Sequence, residues 1–290
     1  MLDEQLRAIG ETRARRPGAI AEAAAGRRRR PLLGPSGRLM IIAADHPARG
    51  SLAVGSRPMA MASRIDLLDR IMVALARPGV DGVLGTADVV EDLLLLGALE
   101  DKVVLGSMNR GGLPGSAFEM DDRFTGYTAS GIARGGLDGG KMLLRIDQAD
   151  PATAATLQAC GDAVSALAER GLTAMIEPFM IARTVASRQN DLSTDAVIRS
   201  VAIASGLGTT SAHTWLKIPV TDNMEQVAEA FTLPAVLLGG DLGGRPDEVF
   251  GRWQRALALP NIHGLVAGRN LLYPPGDDVA AAVDTAVSLL

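Results

Sequence analysis

The chain contains 290 residues, carries a formal net charge of −4, and is 47% hydrophobic. This composition excludes a disordered chain, the single cysteine excludes a disulfide framework, and the acidic balance argues against a nucleic-acid-binding protein. The apolar runs are much shorter than the ~20 residues of a membrane helix, and the N-terminus lacks an apolar signal segment. We therefore expect a cytoplasmic protein without a membrane partner.

The first ~30 residues are rich in Ala, Glu and Arg and are predicted to be helical. They lead through Arg27–Arg30 into a turn-rich linker that ends at Gly37. We predict a helical extension with its linker over residues 1–37 and a catalytic domain over residues 38–290. The arginine run is interpreted as a solvated edge or as a contact in a homo-oligomer.

From Leu39 onward, short apolar segments alternate with amphipathic helical segments. The predicted strands are Leu39–Ala44, Gly82–Leu84, Val103–Gly106, Met142–Ile146, Thr173–Ile176, Thr214–Ile218, Ala235–Leu238 and Gly264–Ala267. The predicted helices are Met59–Ala76, Ala152–Arg170, Ser193–Ser205, Asp222–Ala230, Asp247–Ala258 and Asp277–Leu289. The glycine-rich connection from Asn109 to about Gly126 has no clear assignment.

This alternation predicts an α/β protein that folds as a (β/α)₈ TIM barrel, since eight such units over ~250 residues suit a closed parallel barrel. A doubly wound sheet would instead require a glycine-rich turn after the first strand. The chain has Ala44-Asp45-His46-Pro47 at that place. The barrel is therefore the favoured fold.

Polar residues follow nearly every predicted strand, where the functional residues of such barrels lie. They are Asp45 and His46, Ser107 and Asn109, Lys141, Arg145 and Asp147, Glu177, Trp215 and Lys217, Gly239, Gly240 and Asp241, and Gly268, Arg269 and Asn270.

Lysine is rare in this chain: the 29 basic residues include only Lys102, Lys141 and Lys217, and all others are arginine. An amine can lose its proton and attack a carbonyl group, whereas a guanidinium stays protonated. Strand alternation places Lys217 on one face with Trp215, and Lys141 on one face with Arg145. If these faces point into the barrel, burial and neighbouring cations lower the lysine pKa and favour a nucleophile. The alternative is that both lysines only pair with core carboxylates.

The glycines after the last two predicted strands indicate an anion site. Gly239-Gly240 and Gly268-Arg269 would bring backbone N–H groups and a guanidinium close to a phosphate, at the frequent phosphate site of these barrels. His46 is expected to contact substrate. No histidines have the spacing of metal ligands, so we expect neither a metal nor a cofactor.

These motifs together resemble a known enzyme family. The segments Ile41-Ile-Ala-Ala-Asp45-His46, Asp138-Gly-Gly-Lys141, Met175-Ile-Glu177-Pro178, Trp215-Leu-Lys217-Ile-Pro219, Leu238-Gly-Gly240 and Val266-Ala-Gly268-Arg269-Asn270 carry the resemblance. From Leu39 to about Pro274 the chain resembles the class I (Schiff-base) aldolases of the deoxyribose-phosphate, archaeal fructose-bisphosphate and tagatose-bisphosphate type.

The resemblance implies that Lys217 forms the imine and that Gly268 and Arg269 help to bind phosphate. Lys141 and Glu177 match residues of the tagatose-bisphosphate and sulfosugar-phosphate branches. The chain departs from those branches in having Lys217-Ile-Pro in place of Lys-Val-Glu-x-Pro. It also lacks a tyrosine at a strand end apart from Tyr273, which leaves the acid/base residue open. A branch linked to myo-inositol catabolism, whose expected substrate is a phosphorylated deoxy-keto-gluconate, is the suggested relative.

The sequence thus favours a cofactor-independent lyase that cleaves a phosphorylated keto-sugar or keto-sugar acid through a lysine imine. Two alternatives remain open: a phosphosugar isomerase or epimerase that uses a carboxylate base and no covalent adduct, and a sugar-phosphate sensor without catalysis. The expected site residues are Lys217, Lys141, Asp45 and Glu177 for catalysis, His46, Arg145 and Trp215 for substrate binding, and Gly239, Gly240, Gly268 and Arg269 for phosphate.

Overall fold

A computed structural model describes residues 2–183, 188–239 and 246–290 of the chain. The central sheet consists of β1 (Leu39–Ala43), β2 (Gly82–Gly85), β3 (Val103–Ser107), β4 (Gly139–Ile146), β5 (Thr173–Arg183), β6 (Arg188–Asp191), β7 (Thr214–Ile218), β8 (Ala235–Leu238) and β9 (Ile262–Ala267). Eight of these strands are parallel and run in the order β4-β3-β2-β1-β9-β8-β7-β5, and pairing between β4 and β5 closes the ring. The predicted (β/α)₈ barrel is confirmed.

Helices surround the barrel and fill the connections between its strands. Those of the described residues are α1 (Leu2–Arg15), α2 (Ala19–Gly26), α3 (Arg64–Leu75), α4 (Ala87–Leu95), α5 (Ala129–Arg134), α6 (Ala152–Ala168), α7 (Thr194–Ser205), α8 (Met224–Glu229), α9 (Pro246–Leu257), α10 (Arg269–Leu272) and α11 (Val279–Val287). Among the described helices, none is long and apolar enough to cross a membrane.

The structure departs from the predicted elements mainly at β5. This strand continues beyond the predicted end at Ile176 and pairs in antiparallel fashion with β6, with Met180 opposite Asp191 and Arg183 opposite Arg188. The four residues of β6 are all polar and largely exposed, so no hydrophobic alternation marked them as a strand. The β5–β6 hairpin therefore rises above the barrel at the end where its strands finish.

Inward-facing side chains fill the barrel in layers. An apolar cluster that includes Leu39, Ile41 and Val236 occupies its interior. The strand register places Lys141 beside Met175 and Met175 beside Trp215 in one layer. Because side chains alternate along a strand, the next inward layer toward the C-terminal ends contains Leu143, Glu177 and Lys217. The barrel thus brings the charged residues of three strands together.

The N-terminal extension closes the opposite end of the barrel. Leu32 and Leu33 pack against the interior cluster. The Arg27 guanidinium donates hydrogen bonds to the carbonyl oxygens of Lys102, at 2.6 Å, and Gly136, at 2.7 Å. The interpretation of the arginine run as a solvated edge is wrong for Arg27, which is only 7% exposed because this end of the barrel offers it carbonyl and carboxylate acceptors.

Asp138 should contribute strongly to the stability of this closure. Its carboxylate accepts a hydrogen bond from the Val104 amide at 2.8 Å and lies 3.7 Å from the Arg27 guanidinium. We expect Asp138→Asn to lower the free energy of unfolding by about 1–3 kcal/mol, because buried donors lose an ionised acceptor. The matched control Asp101→Asn removes an exposed partner of Arg28 and should cost less than about 1 kcal/mol. Urea denaturation measures both, and equal losses would contradict the assignment.

Candidate active site

Glu177 lies between two lysines at the centre of the barrel. The Lys217 Nζ donates to Glu177 Oε1 at 2.6 Å, and the Lys141 ammonium contacts the other carboxylate oxygen. The three residues are 8%, 3% and 0% exposed in the order Glu177, Lys217 and Lys141. Both lysines predicted to face the barrel interior therefore meet the same carboxylate.

Burial and charge shift the pKa values of these groups. Burial alone would raise the pKa of Glu177, but the charges of Lys141, Lys217 and Arg110 hold it well below its usual range. Burial lowers the pKa of Lys217 from its ordinary value, although Glu177 opposes the shift. Burial, followed by the charge of Arg110, likewise lowers the pKa of Lys141. A lowered lysine pKa makes the neutral, nucleophilic amine available closer to neutral pH.

Asp45 lies beside this group and holds Lys141 from a second direction. Its Oδ2 accepts hydrogen bonds from Lys141 Nζ at 3.2 Å and Ser107 Oγ at 3.1 Å, and it also contacts the Arg110 guanidinium. Among the described residues, Lys141 therefore has two carboxylate partners and Lys217 has one. Burial lowers the pKa of both lysines, and of the two only Lys217 is among the residues that line the cavity described next, so Lys217 is the amine that a ligand can reach.

A cavity of about 280 Å³ opens above these charges at the C-terminal ends of the strands. The described residues that line it are Ala43, His46, Arg49, Ser51, Arg110, Leu143, Glu177, Phe179, Asn190, Leu192, Lys217, Leu238, Gly239, Val266, Gly268 and Arg269. Lys217 and Glu177 are thus accessible to a ligand, whereas Lys141 and Asp45 support them from below.

The cavity is strongly positive. Arg49, Arg110 and Arg269 all line it, and Glu177 is the one carboxylate among its described lining residues. Burial, with the charges of Arg269 and Lys217, lowers the pKa of His46 well below its ordinary value, so that its imidazole is neutral at physiological pH. Low-dielectric walls lined by charge of one sign attract an oppositely charged ligand. The cavity is suited to an anion.

The end of the cavity next to β8 and β9 contains three of the four residues predicted to bind phosphate, Gly239, Gly268 and Arg269. A Cβ added to Gly268 would lie 2.1 Å from the Ala43 carbonyl oxygen, so only glycine fits there. Asn270 donates from Nδ2 to the Gly239 carbonyl oxygen at 2.9 Å and ties the two loops together. The described residues give the Arg269 guanidinium no hydrogen bond or ion pair. Gly240 was also predicted here, but it lies outside the described residues.

Two residues predicted to bind substrate lie elsewhere. Trp215 is one layer below the cavity, where its ring packs against His263 at a centroid distance of 5.6 Å. Arg145 donates two hydrogen bonds to the Asp122 carboxylate, at 2.7 and 2.9 Å, and so holds the loop after β3. Neither residue is among the described lining of the cavity. The alternation of side chains along a strand predicts correctly that both residues point into the barrel. It does not predict how deep in the barrel they lie or which residues they contact.

Sequence reasoning missed Arg49 and Arg110. Arg49 follows β1 in a short 3-10 turn, and Arg110 follows β3 beyond the end of the regular alternation. Because both residues lie outside the strands, the alternation of side chains along a strand does not predict where they point. Arginine is also too common in this chain for either residue to stand out. Asn109, which was noted in the sequence, supports Arg110 by exchanging hydrogen bonds with the Leu143 backbone at 2.6 and 2.7 Å.

No three His, Cys, Asp or Glu side chains of the described residues are grouped as a metal site requires. The titratable groups that do converge are instead two carboxylates and two amines, an arrangement that suits proton transfer and nucleophilic attack.

Solved structures that share this barrel fold include two fructose-1,6-bisphosphate aldolases. A Schiff base-forming fructose-1,6-bisphosphate aldolase is 15% identical, with a TM-score of 0.67 over 93% of this chain and 99% of that one. An archaeal fructose-1,6-bisphosphate aldolase, solved with its catalytic lysine bound to the carbinolamine intermediate, is 14% identical, with a TM-score of 0.68 over 93% and 98%. At these identities the likeness shows the fold.

A much higher similarity links the chain to a bacterial protein. Cgl0159 of Corynebacterium glutamicum (Brevibacterium flavum) is 55% identical, with a TM-score of 0.96 over 99% of this chain and 96% of that one. No curated protein sequence matches the chain. The model of the Cgl0159-like family matches residues 37–287. Because this match covers most of the chain, the protein belongs to the Cgl0159-like family.

Proposed function

We propose that this protein is a class I aldolase that cleaves or forms a C–C bond in a phosphorylated keto-sugar or keto-sugar acid. The observation that carries the proposal is the Lys217 amine, which lines a cationic cavity and shares Glu177 with a second buried lysine. Solved Schiff base-forming aldolases with the same fold give independent support.

The reaction begins with attack of the neutral Lys217 amine on the substrate carbonyl. The resulting carbinolamine loses water and becomes an iminium ion. Removal of a proton from the substrate hydroxyl then breaks the C–C bond: an aldehyde leaves, and the bonding electrons move toward the iminium nitrogen to give an enamine. Protonation of the enamine carbon and addition of water release the second product and restore the amine.

The carboxylates and Lys141 supply the proton transfers that these steps need. Glu177 is hydrogen-bonded to Lys217 and lines the cavity, so it is placed to accept a proton from the attacking amine and to return one to the departing water. Lys141 lies behind Glu177 and favours its ionised form, and Asp45 accepts a hydrogen bond from Lys141. Burial and the positive charges of Arg110 and Arg269 favour the neutral form of the attacking amine.

The same charges make an isomerase less suitable. An isomerase or epimerase would use Glu177 as a general base without a covalent adduct, and catalytic bases work best when their pKa lies near the operating pH. Two ammonium groups hold the pKa of Glu177 well below its usual range, despite the opposing effect of burial. Glu177 is thus a weak base for taking a proton from a carbon atom, as an isomerase requires. The imine steps need it only to take a proton from the far more acidic, positively charged nitrogen of the first adduct, so the imine mechanism fits the site better.

Covalent trapping tests the central step. Borohydride added during turnover should reduce the imine and attach substrate to a peptide that contains Lys217. Lys217→Arg should fold but form no adduct and show no activity, because a guanidinium does not lose its proton. Since burial lowers the pKa of Lys217 from 10.5, trapping should rise with pH and reach half of its maximum below pH 10.5. Mass spectrometry of the reduced protein measures the adduct.

Lys141→Arg is the matched control for this experiment. It makes the same chemical change in the neighbouring lysine, and it should retain an adduct on Lys217 with an altered pH dependence. An adduct on Lys141, or normal turnover by Lys217→Arg, would contradict the proposal.

Activity should not depend on a metal ion. The iminium nitrogen already acts as the electron acceptor that a Lewis-acid metal supplies in other aldolases. Exhaustive chelation followed by buffer exchange should leave the rate of cleavage unchanged in a coupled assay. A large loss that is restored by zinc would overturn the Schiff-base mechanism.

Arg269 should select for the phosphate of the substrate. A charge-assisted, bidentate contact contributes about 1.5–3 kcal/mol, so Arg269→Ala should weaken binding of a phosphorylated substrate by about ten- to a hundredfold. An unphosphorylated analogue should be affected far less in steady-state kinetics. Arg252→Ala, which removes an arginine paired with Asp222 on the outer face of α9, is the control. Equal losses on both substrates would show that Arg269 has only a structural role.

A further inference from the structure

The cleavage of the C–C bond needs a base that is distinct from Lys217 and Glu177. This base takes the proton of the substrate hydroxyl while Lys217 is bound to the substrate. Both oxygens of Glu177 contact lysine side chains. Of the other titratable side chains in the described lining of the cavity, three are arginines, which hold their protons, and the fourth is the imidazole of His46.

His46 and Asp45 form a pair of neighbouring groups, each with one buried atom that has no partner. The imidazole Nδ1 and the carboxylate Oδ1 lie 3.8 Å apart. Both atoms are buried, and neither has a hydrogen-bond partner among the described residues. Nearly all buried polar atoms of proteins are hydrogen-bonded, so two such atoms this close together need an explanation. A hydrogen bond between them fits, because the hydrogen bonds of catalytic groups are often long without substrate and shorten when it binds.

The carboxylate of Asp45 is held in place by its other oxygen. Oδ2 accepts hydrogen bonds from Lys141 Nζ at 3.2 Å and Ser107 Oγ at 3.1 Å, and it contacts the Arg110 guanidinium. Oδ1 therefore has a fixed direction beside His46. A carboxylate attracts an N–H group and repels a nitrogen lone pair, so it favours the imidazole tautomer that carries its proton on Nδ1. The lone pair of Nε2 is then available to a ligand in the cavity.

The barrel places His46 apart from the imine nitrogen and next to the expected phosphate site. His46 follows β1, which pairs with β9, and Arg269 follows β9. Lys217 lies on β7, three places from β1 in the ring of strands. In an aldol the reacting hydroxyl is on the second carbon from the carbonyl carbon, so its base must lie away from the amine. Glu177 instead stays at the amine, with 2.6 Å between its Oε1 and the Lys217 Nζ.

The basicity of the imidazole depends on what the cavity holds. Burial lowers the pKa of His46 well below its ordinary value, and the positive charges of Arg269, Lys217 and Lys141 act in the same direction. The negative charge of Glu177 opposes them, and Arg269 has the largest effect of these charges. A phosphate on Arg269 offsets that charge and raises the pKa of the imidazole toward the range in which a base is effective. A phosphorylated substrate thus strengthens the base that acts on it.

We propose that His46, oriented by Asp45, is the base that takes the proton of the substrate hydroxyl when the C–C bond breaks. The assignment rests on the function proposed above. The O–H proton moves to Nε2, the electrons of the O–H bond form the aldehyde carbonyl, and the electrons of the broken C–C bond move toward the iminium nitrogen. The resulting imidazolium donates its Nδ1–H to Asp45 and loses the new proton to water after the aldehyde leaves. In the direction of bond formation, the imidazolium gives that proton to the aldehyde oxygen.

Nitrogen-15 NMR of the imidazoles tests the orientation without any substrate. The chain has three histidines, so His46→Gln identifies the signal of His46 by its loss. At neutral pH that signal should show a proton on Nδ1 and none on Nε2. Asp45→Asn should reduce or reverse this preference, because the side-chain amide can turn its NH₂ group toward Nδ1. The exposed His213 is the internal reference, and its signal should not change in this variant.

Two measurements with fructose 1,6-bisphosphate, a phosphorylated keto-sugar, separate the base from imine formation. Borohydride should form an adduct on Lys217 in His46→Gln as in the unchanged protein, because the amine and Glu177 are intact. The rate of cleavage in a single turnover should fall by about 10²- to 10⁴-fold, the usual contribution of a general base. His213→Gln makes the same change in an exposed histidine just before β7 and should leave both results unchanged.

Three results would overturn the assignment of His46: a proton on Nε2 in place of Nδ1 in the unchanged protein, cleavage by His46→Gln at the unchanged rate, or loss of the Lys217 adduct in that variant. The last result would show that His46 acts in imine formation. Absence of an adduct in the unchanged protein would count against the proposed aldolase instead, and the NMR spectra would still decide the orientation of His46. The two proposals can therefore fail independently of each other.

Discussion

The site depends on one buried interaction, the contact of the Glu177 carboxylate with both Lys141 and Lys217. An unpaired charge inside a protein costs many kcal/mol, so each of these groups is tolerated only because its partners are in place. Three neighbouring barrel strands, β4, β5 and β7, supply one residue each. The register of the strands therefore determines whether these three charged groups meet. A shift of one residue would turn a charged side chain away from the barrel interior and toward the surrounding helices.

The rest of the molecule makes this cluster accessible from one end. The N-terminal extension closes the barrel below, where Leu32 and Leu33 cover the apolar interior and Arg27 binds carbonyl groups of the barrel. The C-terminal ends of the strands remain open to a cationic cavity. In the described part of the chain, Lys217 is open to a ligand from the side that carries Arg269, Arg110 and Arg49. The closed lower end and the open upper end of the barrel thus determine the direction from which a ligand reaches Lys217.

The arginines of the cavity differ in how their positive charge is compensated. Arg269 makes no ion pair within the described part of the chain, whereas Arg110 shares Asp45 with Lys141. An anionic ligand therefore meets an uncompensated guanidinium at Arg269 and a partly compensated one at Arg110. Asp45 therefore has two effects: it favours the charged form of Lys141, and it reduces the positive charge available to a ligand beside Arg110.

The sequence by itself determined the barrel and much of its centre. Alternating apolar strands and amphipathic helices specify the (β/α)₈ fold, and a period of two along a strand predicts that Lys141 and Lys217 face inward, because both patterns are local. The depth of a side chain in the barrel and the identity of its partners, in contrast, depend on contacts between distant parts of the chain. Only the register between strands places Trp215 a layer below the cavity and lets Lys141 and Lys217 meet at Glu177. Only the folding of two loops brings Arg49 and Arg110 to the cavity, because irregular backbone has no period from which a direction could be read.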